Sequence, residues 1–329
     1  MKGFPSVLEN INDLNLKQIQ ALLSLTTDYK NKDKDLVESF YEGFKTPVIA
    51  TSFLENSTRT KHSFAIAIQK LGGMYIDFNA ETSSLKKGET LEETLLTLKH
   101  QGVDCCIIRT SVSNELAQFK ENPPLKIING GDGTNQHPTQ ALLDLFTMIE
   151  NHGDLNGKTM AIIGDCVHSR VTHSLVELLP QFGMNLILCG PEGYIPKTID
   201  SKNVSLSSSR DEAISKSDFL YLLRIQKERH TGTEDQHFST YHQEYGCSLD
   251  VLGNLNKEIS VYHPGPANIG VEISTDLIKS PLYQGYKQVE NSTYMRMAII
   301  AAILSNRNIS CQLELNGDDA RIKKGGAGL

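Results

Sequence analysis

The 329-residue chain has room for two domains of ordinary size, and its 39% hydrophobic and 22% charged residues place it among packed proteins rather than disordered ones. A net charge of −7 without a long basic run argues against nucleic acid as a partner while allowing a local basic pocket. There is no apolar run of about eighteen residues and no signal-peptide layout at the start, so the sequence reads as a soluble cytoplasmic protein with no membrane partner.

Leu16, Ile19, Leu22 and Leu23 recur at helical spacing, which predicts a helix over 15–29. The β-branched run from Pro47 to Phe53 predicts a strand, followed by a helix that carries Phe64, Ile68 and Leu71 and stops at Gly72-Gly73. Met74 to Phe78, Cys105 to Arg109 and Lys126 to Asn129 read as further strands, with helices over 89–101 and 139–150. After a polar break from Asn151 to Gly157, strand and helix alternate again: strand 158–164, helix 169–182, strands 185–189, 218–223 and the ISVY run before His263. This alternation predicts an α/β protein of two doubly wound domains, each a mainly parallel sheet flanked by helices, with the active site in the cleft between them. The boundary is set near Asn151, giving domains over 1–150 and 151–290; a last helix over 291–306 is expected to pack back on the first domain, and 307–329 reads as a flexible tail. The six cysteines, Cys105, Cys106, Cys166, Cys189, Cys247 and Cys311, form no CxxC pair and fit a reducing compartment.

Several segments carry chemistry. In FLENSTRTK a strand runs into a helix whose first residues are Ser57, Thr58, Arg59 and Thr60. Unpaired N–H groups at a helix start favour an anion, and an arginine adds a bidentate fork for phosphate, although a serine here also serves as an ordinary N-cap. Lys86-Lys87 taken alone is a solvated pair. His137 precedes a helix opened by Pro138, with Gln140 on the same face, which suits donation to a carbonyl oxygen; the bland alternative is a surface turn. GDCVHSR at 164–170 lacks the second and third glycines of a dinucleotide fingerprint, so Arg170 reads as a carboxylate or phosphate ligand. Arg224 and Arg229 in RIQKER follow a strand end, and HPGP at 263–266 is a proline-pinned turn. Arg59, Arg109, Arg170 and Arg224, with Lys87 and His137, all fall at strand ends or helix starts, which in doubly wound domains face one cleft. A cleft of that kind suits a polyanionic substrate.

STRT at 57–60, KKGET at 86–90, HPTQ at 137–140 and RIQKER at 224–229 together resemble the aspartate and ornithine carbamoyltransferase family, in order and along the chain to about residue 306. The KKGET and RIQKER strings are similar to its aspartate-specific branch. The resemblance implies a carbamoyl-group transferase that carries the carbamoyl group of carbamoyl phosphate to the amine of L-aspartate, giving N-carbamoyl-L-aspartate and phosphate for pyrimidine synthesis. It implies a carbamoyl-phosphate-binding first domain and an aspartate-binding second domain. Ser57, Thr58, Arg59 and Thr60 would hold the phosphate, with Thr60 also reaching the carbonyl oxygen that Arg109 and His137 polarise, and Gln140 would bind the carbamoyl amine. Ser83 and Lys87 would come from a neighbouring subunit of a homotrimer with shared sites. Arg170, Arg224 and Gln226 would hold the carboxylates of aspartate, and Pro264, Gly265 and Pro266 would contact the carbamoyl and amino groups. Glu55, Glu228 and Arg229 would pair on domain closure. No cofactor or metal is implied, and whether regulatory chains or other pathway enzymes attach is left open.

Two departures from the family pattern stand out. Lys61 takes the place of the usual arginine after STRT, and Ile269 stands where an arginine commonly follows the HPGP-type turn. Two rival readings are a carbamoyltransferase for another amine such as ornithine, which would want acidic residues where Arg170 and Arg224 stand, and a non-catalytic family member.

Overall fold

The computed structural model describes residues 3–31, 46–55, 57–78, 88–225 and 234–305. Among these, ten strands form two five-stranded sheets in which every pairing is parallel. The first comprises β1 (Val7–Leu8), β2 (Val48–Phe53), β3 (Met74–Phe78), β4 (Cys105–Thr110) and β5 (Lys126–Asp132), in the order β1-β5-β4-β2-β3. The second comprises β6 (Thr159–Ile163), β7 (Asn185–Cys189), β8 (Val204–Ser207), β9 (Phe219–Leu222) and β10 (Ser260–Tyr262), in the order β10-β9-β6-β7-β8. The inner strands are near-continuous apolar runs because helices cover both faces. In β4, Cys105 to Ile108 are wholly buried, and in β6 so are Met160 to Ile163.

The helices are α1 (Leu16–Lys30), α2 (Thr58–Lys70), α3 (Leu91–His100), α4 (Pro138–His152), α5 (Arg170–Leu178), α6 (Arg210–Ser215), α7 (Glu234–Tyr245), α8 (Leu249–Asn254), α9 (Thr275–Ile278) and α10 (Gly285–Leu304). The expected stop at Gly72-Gly73 is a Schellman cap: the Gly72 N–H bonds the Gln69 carbonyl and the Gly73 N–H that of Ile68, with Gly72 at φ 68. Some boundaries differ from the sequence reading. Pro180 cannot continue a helix with its missing N–H, and the segment expected over 169–182 splits into α5 and a 3-10 turn, Leu179–Phe182. The polar break begins later than Asn151, because α4 runs through His152 and ends at Gly153. The last helix starts at Gly285 rather than 291, since Gln288 and Asn291 are buried polar residues that the apolar period alone does not register. The tail over 307–329 lies outside the described residues.

Helix α10 packs against α1, α2 and α4. Polar contacts fix its register: Asn291 Nδ2 donates to Thr147 Oγ1 at 3.1 Å, and Lys30 Nζ donates to Asn291 Oδ1 at 2.7 Å. Helix α4 is buried on almost every side, from Pro138 to Met148, as a helix between two layers must be. Its residues share one continuous core with Ile49, Ile107 and Ile128 of the first sheet and Met160, Ile162 and Tyr221 of the second. The two sheets are thus held over a common helix, which brings their strand ends to one cleft. No helix among the described residues is long and apolar enough to cross a membrane.

Candidate active site

Strand order locates the cleft. In the first sheet β2 lies between β3 and β4, so the chain leaves β2 and β4 in opposite directions; in the second, β6 lies between β9 and β7 and makes the same reversal. Open α/β sheets bind ligands outside the strand ends at such switch points. The segment after β2 brings Glu55 and Ser57 to Thr60, and the end of β4 itself brings Arg109; the segments after β6 and β9 bring Arg170 and Arg224.

Arg109, near the end of β4, and Arg170, at the start of α5, converge on one spot. A Cβ at Gly131, where φ is 115, would lie 3.1 Å from Arg109 Nη1 and 3.2 Å from Arg170 Nε, so the backbone there needs glycine for both guanidinium groups to approach. One carboxylate bridges them: Glu55 Oε2 is 3.0 Å from Arg170 Nη1 and 3.4 Å from Arg109 Nε. Arg109 Nη1 also donates to the Gly130 carbonyl at 3.2 Å. Burial pulls the Arg109 guanidinium down to about 10, neighbouring Arg170 adds to the fall, and Glu55 opposes it. Two cations sharing one carboxylate leave a net positive site that a further anion would stabilise.

At the head of α2, the Ser57 hydroxyl makes no capping hydrogen bond, unlike the cap oxygens of α1, α3 and α5. The ordinary-cap reading of that serine therefore does not hold. Thr58 and Arg59 are exposed and Thr60 is buried. Across the cleft, a Cβ on Gly265 would lie 3.0 Å from Arg59 Cζ, so the HPGP turn after β10 stands against this guanidinium. The turn has a cis Gly265-Pro266 bond, and its Gly265 N–H donates to His263 Nδ1 at 2.8 Å. That bond puts the ring proton of His263 on Nε2, which faces Glu272 Oε1 at 3.2 Å.

His137 opens α4, and its backbone N–H donates to Ser174 Oγ of α5 at 2.9 Å, so the second unit holds it in place. Burial drives the imidazole well below its ordinary value, and Arg109, Arg170 and Arg296 push the same way. The ring is neutral at neutral pH. Thr139 Oγ1 stands 3.5 Å from Nδ1; with that hydroxyl as donor, the proton sits on Nε2. Gln140 is partly buried and donates from Nε2 to Asp144 Oδ1 at 2.9 Å.

Arg296 is a further residue of the site that local sequence pattern does not single out. This buried arginine on α10 donates to Ser63 Oγ, and Ser63 reaches the Arg59 and Thr60 carbonyls at 2.7 and 2.9 Å, so α10 props the first turn of α2. Burial pulls Arg296 down to about 9. A lone arginine in the apolar run YMRMAIIAAIL was the available signal. Asp144 is a second such residue; burial pushes its carboxyl up to about 7 against the donors Gln288, Tyr221 and Gln140.

Arg224 is partly buried two residues past β9. Ser83, Lys87, Gln226, Glu228 and Arg229 lie outside the described residues. Lys61 pairs with Asp77 at 2.8 Å, a surface contact. Ile269 is 59% exposed, so the departure there opens no buried gap. No group of three or more His, Cys, Asp or Glu side chains among the described residues is placed to hold a metal ion.

Two family profiles match the chain: "Aspartate/ornithine carbamoyltransferase, carbamoyl-P binding domain" over residues 7–150, and "Aspartate/ornithine carbamoyltransferase, Asp/Orn binding domain" over 156–303. An aspartate carbamoyltransferase catalytic subunit from Staphylococcus epidermidis is 38% identical over 299 residues, covering 90% of this chain and 99% of its own. One from Streptococcus equi subsp. zooepidemicus is 38% identical, covering 92% and 95%. Among solved structures, aspartate transcarbamoylase from Trypanosoma cruzi in complex with carbamoyl phosphate and aspartate superposes with a TM-score of 0.79 at 28% identity, covering 92% of this chain and 98% of that one. The catalytic subunit of the M. jannaschii enzyme gives 0.76 at 30% identity, covering 91% and 98%.

Proposed function

The chain belongs to the aspartate/ornithine carbamoyltransferase family, and from that premise we propose that it transfers the carbamoyl group of carbamoyl phosphate to the amine of L-aspartate, releasing N-carbamoyl-L-aspartate and phosphate. The observation that carries this reading is the meeting of Arg109 of β4 and Arg170 of α5 over Gly131, beside the arginine-bearing head of α2. Such a site suits two anionic reactants held end to end, and Arg170 standing there disfavours a cationic acceptor such as ornithine.

In this reading residues 1–150 bind carbamoyl phosphate and 151–290 bind aspartate. Ser57, Thr58, Arg59 and Thr60 hold the phosphate; the uncapped Ser57 hydroxyl and the free N–H groups of the first turn support that assignment. Arg109 and the neutral His137 donate to the carbonyl oxygen, where negative charge grows as the amine attacks. A neutral imidazole supplies a donor without adding another cation beside two arginines. Gln140 takes the carbamoyl amine, Arg170, Arg224 and Gln226 the aspartate carboxylates, and the Pro264, Gly265 and Pro266 turn the reacting groups. The carbon–nitrogen bond forms as the carbon–oxygen bond to phosphate breaks, and the departing phosphate accepts the amine proton. Glu55 then exchanges its present partners for contacts with the segment holding Glu228 and Arg229 as the domains close, which excludes water.

Ser83 and Lys87 act in a neighbour's site within a homotrimer. This is supported by exposed apolar residues on the edge strand β3, which precedes them in sequence, Met74 (57% exposed) and Ile76, with Ile66 on α2. Such a patch on an edge strand calls for a cover. A cytoplasmic setting and a place in pyrimidine synthesis complete the proposal; the five described cysteines, all buried and unpaired, fit a reducing compartment. Purified protein given carbamoyl phosphate and L-aspartate should form N-carbamoyl-L-aspartate, with no carbamoylated product from ornithine. Absence of product from aspartate at saturating substrates would refute the reading.

A further inference from the structure

A buried carboxylate lies behind the substrate-facing residues, and it takes no part in the chemistry above. Asp144 is fully buried one turn after Gln140 on α4. Its Oδ1 accepts from Gln140 Nε2 at 2.9 Å and from Gln288 Nε2 of α10 at 2.7 Å; its Oδ2 accepts from the Tyr221 hydroxyl of β9 at 2.7 Å. Gln288 in turn accepts the His263 N–H at 3.0 Å through its Oε1, at the base of the HPGP turn. One side chain therefore joins the HPTQ segment, the second sheet and the HPGP turn.

This network fixes the orientation of an amide. A glutamine presents a donor end and an acceptor end that nearly match in shape, and only its partners decide which faces where. With Gln140 Nε2 held on a carboxylate oxygen, the carbonyl Oε1 is the end turned away from Asp144. The flipped amide would set Oε1 against Oδ1, two acceptors with no proton between them. A proton taken up by Asp144 would not change this, because it would sit on Oδ2 beside the Tyr221 oxygen and leave Oδ1 an acceptor. A fixed acceptor at Gln140 suits a ligand that offers N–H, and gives nothing to a methyl group of the same size.

We propose that Asp144 is a positioning residue that holds Gln140 with its amide oxygen toward the acyl donor, and so selects a carbamoyl group over an acetyl group. The inference rests on the carbamoyl-phosphate reading of the site. It is tested by titration calorimetry of the full-length protein with carbamoyl phosphate and, separately, acetyl phosphate. In Asp144→Ala the preference for carbamoyl phosphate should fall about tenfold, the worth of one net hydrogen bond, through weaker carbamoyl phosphate binding with acetyl phosphate binding unchanged within about twofold. Asp144→Asn, whose amide oxygen still accepts from Gln140, should keep the wild-type preference. Should the alanine variant fail to fold, Asp144→Leu, which fills the space and offers Gln140 no acceptor, takes its place with the same expectation. A folded variant that keeps the wild-type preference, or weakens both ligands equally, would overturn the proposal, as would an asparagine variant that loses as much as alanine. Wild-type carbamoyl-aspartate synthesis is measured alongside. If it is present while these outcomes fail, the positioning role alone is wrong; if it is absent and carbamoyl phosphate does not bind, both readings fall.

Discussion

At the scale of single residues, the site depends on where charge is placed and what opposes it. Arg59 is exposed at the head of α2 and faces the HPGP turn, so its loss should disturb little besides the ligand. Arg59→Ala is expected to lower turnover by about a hundredfold or more, as removal of a donor to developing charge does, with thermal stability nearly unchanged; steady-state kinetics checks it. His137 is expected to stay neutral well below the ordinary imidazole range, held there by burial and by Arg109, Arg170 and Arg296. Its ring resonances in an NMR titration should show no protonation step near pH 6.5, and a midpoint there would contradict the assignment. The sign follows from linkage. The unfolded chain takes up this proton before the folded one, so the contribution to stability is full above about pH 6.5 and is lost as pH falls below it. The candidate residues themselves were legible because strand ends and helix starts can be read locally. Asp144 and Arg296 were not, since their partners Tyr221, Gln288 and Ser63 lie far away in sequence.

At the scale of elements, the strong periods were readable and the short pieces were not. Strands β3 and β7 fall on the bounds the apolar runs predict, although only β7 is buried and β3 is a half-exposed edge strand. Strand β1 spans only two residues, and β8 (VSLS) alternates polar residues at a sheet edge; neither has enough apolar signal to stand out. Helix α6 is short as well, yet its start carries a readable mark, Ser209 followed three residues later by Glu212, whose N–H donates to the serine hydroxyl. Helix α3 has the full reciprocal form: Glu93 N–H donates to Thr90 Oγ1 at 3.2 Å, and Thr90 N–H donates to Glu93 Oε2 at 2.9 Å. Hydrogen bonds from Thr90 hold the Glu93 carboxyl below its usual value. Thr90→Ala is expected to cost about 1 kcal/mol of folding stability, measured by urea denaturation. A loss within error of zero would mean that tertiary packing alone fixes the start of α3.

At the scale of the whole molecule, alternating strand and helix foretold two parallel sheets, but not that α4 would serve as a common core element between them. That follows from burial on nearly every side of a helix whose polar members, Asp144 and Thr147, are met by α10 and β9. The trimer proposed above predicts complementation. Mixing inactive Lys87→Ala chains with inactive Arg59→Ala chains should restore part of the activity, because hybrid assemblies contain some intact shared sites; no rescue despite proven mixing would show each chain working alone. The central claim is that basic side chains from both halves of the molecule surround a single polyanionic bisubstrate assembly. Titration with N-(phosphonacetyl)-L-aspartate, which a T. cruzi relative binds, tests it most directly, because that molecule joins a phosphonate to an aspartate. Tight binding at one site per chain is expected, weakened tenfold or more by either Arg59→Ala or Arg170→Ala. Absence of binding, or binding that is indifferent to one of the two arginines, would contradict the account.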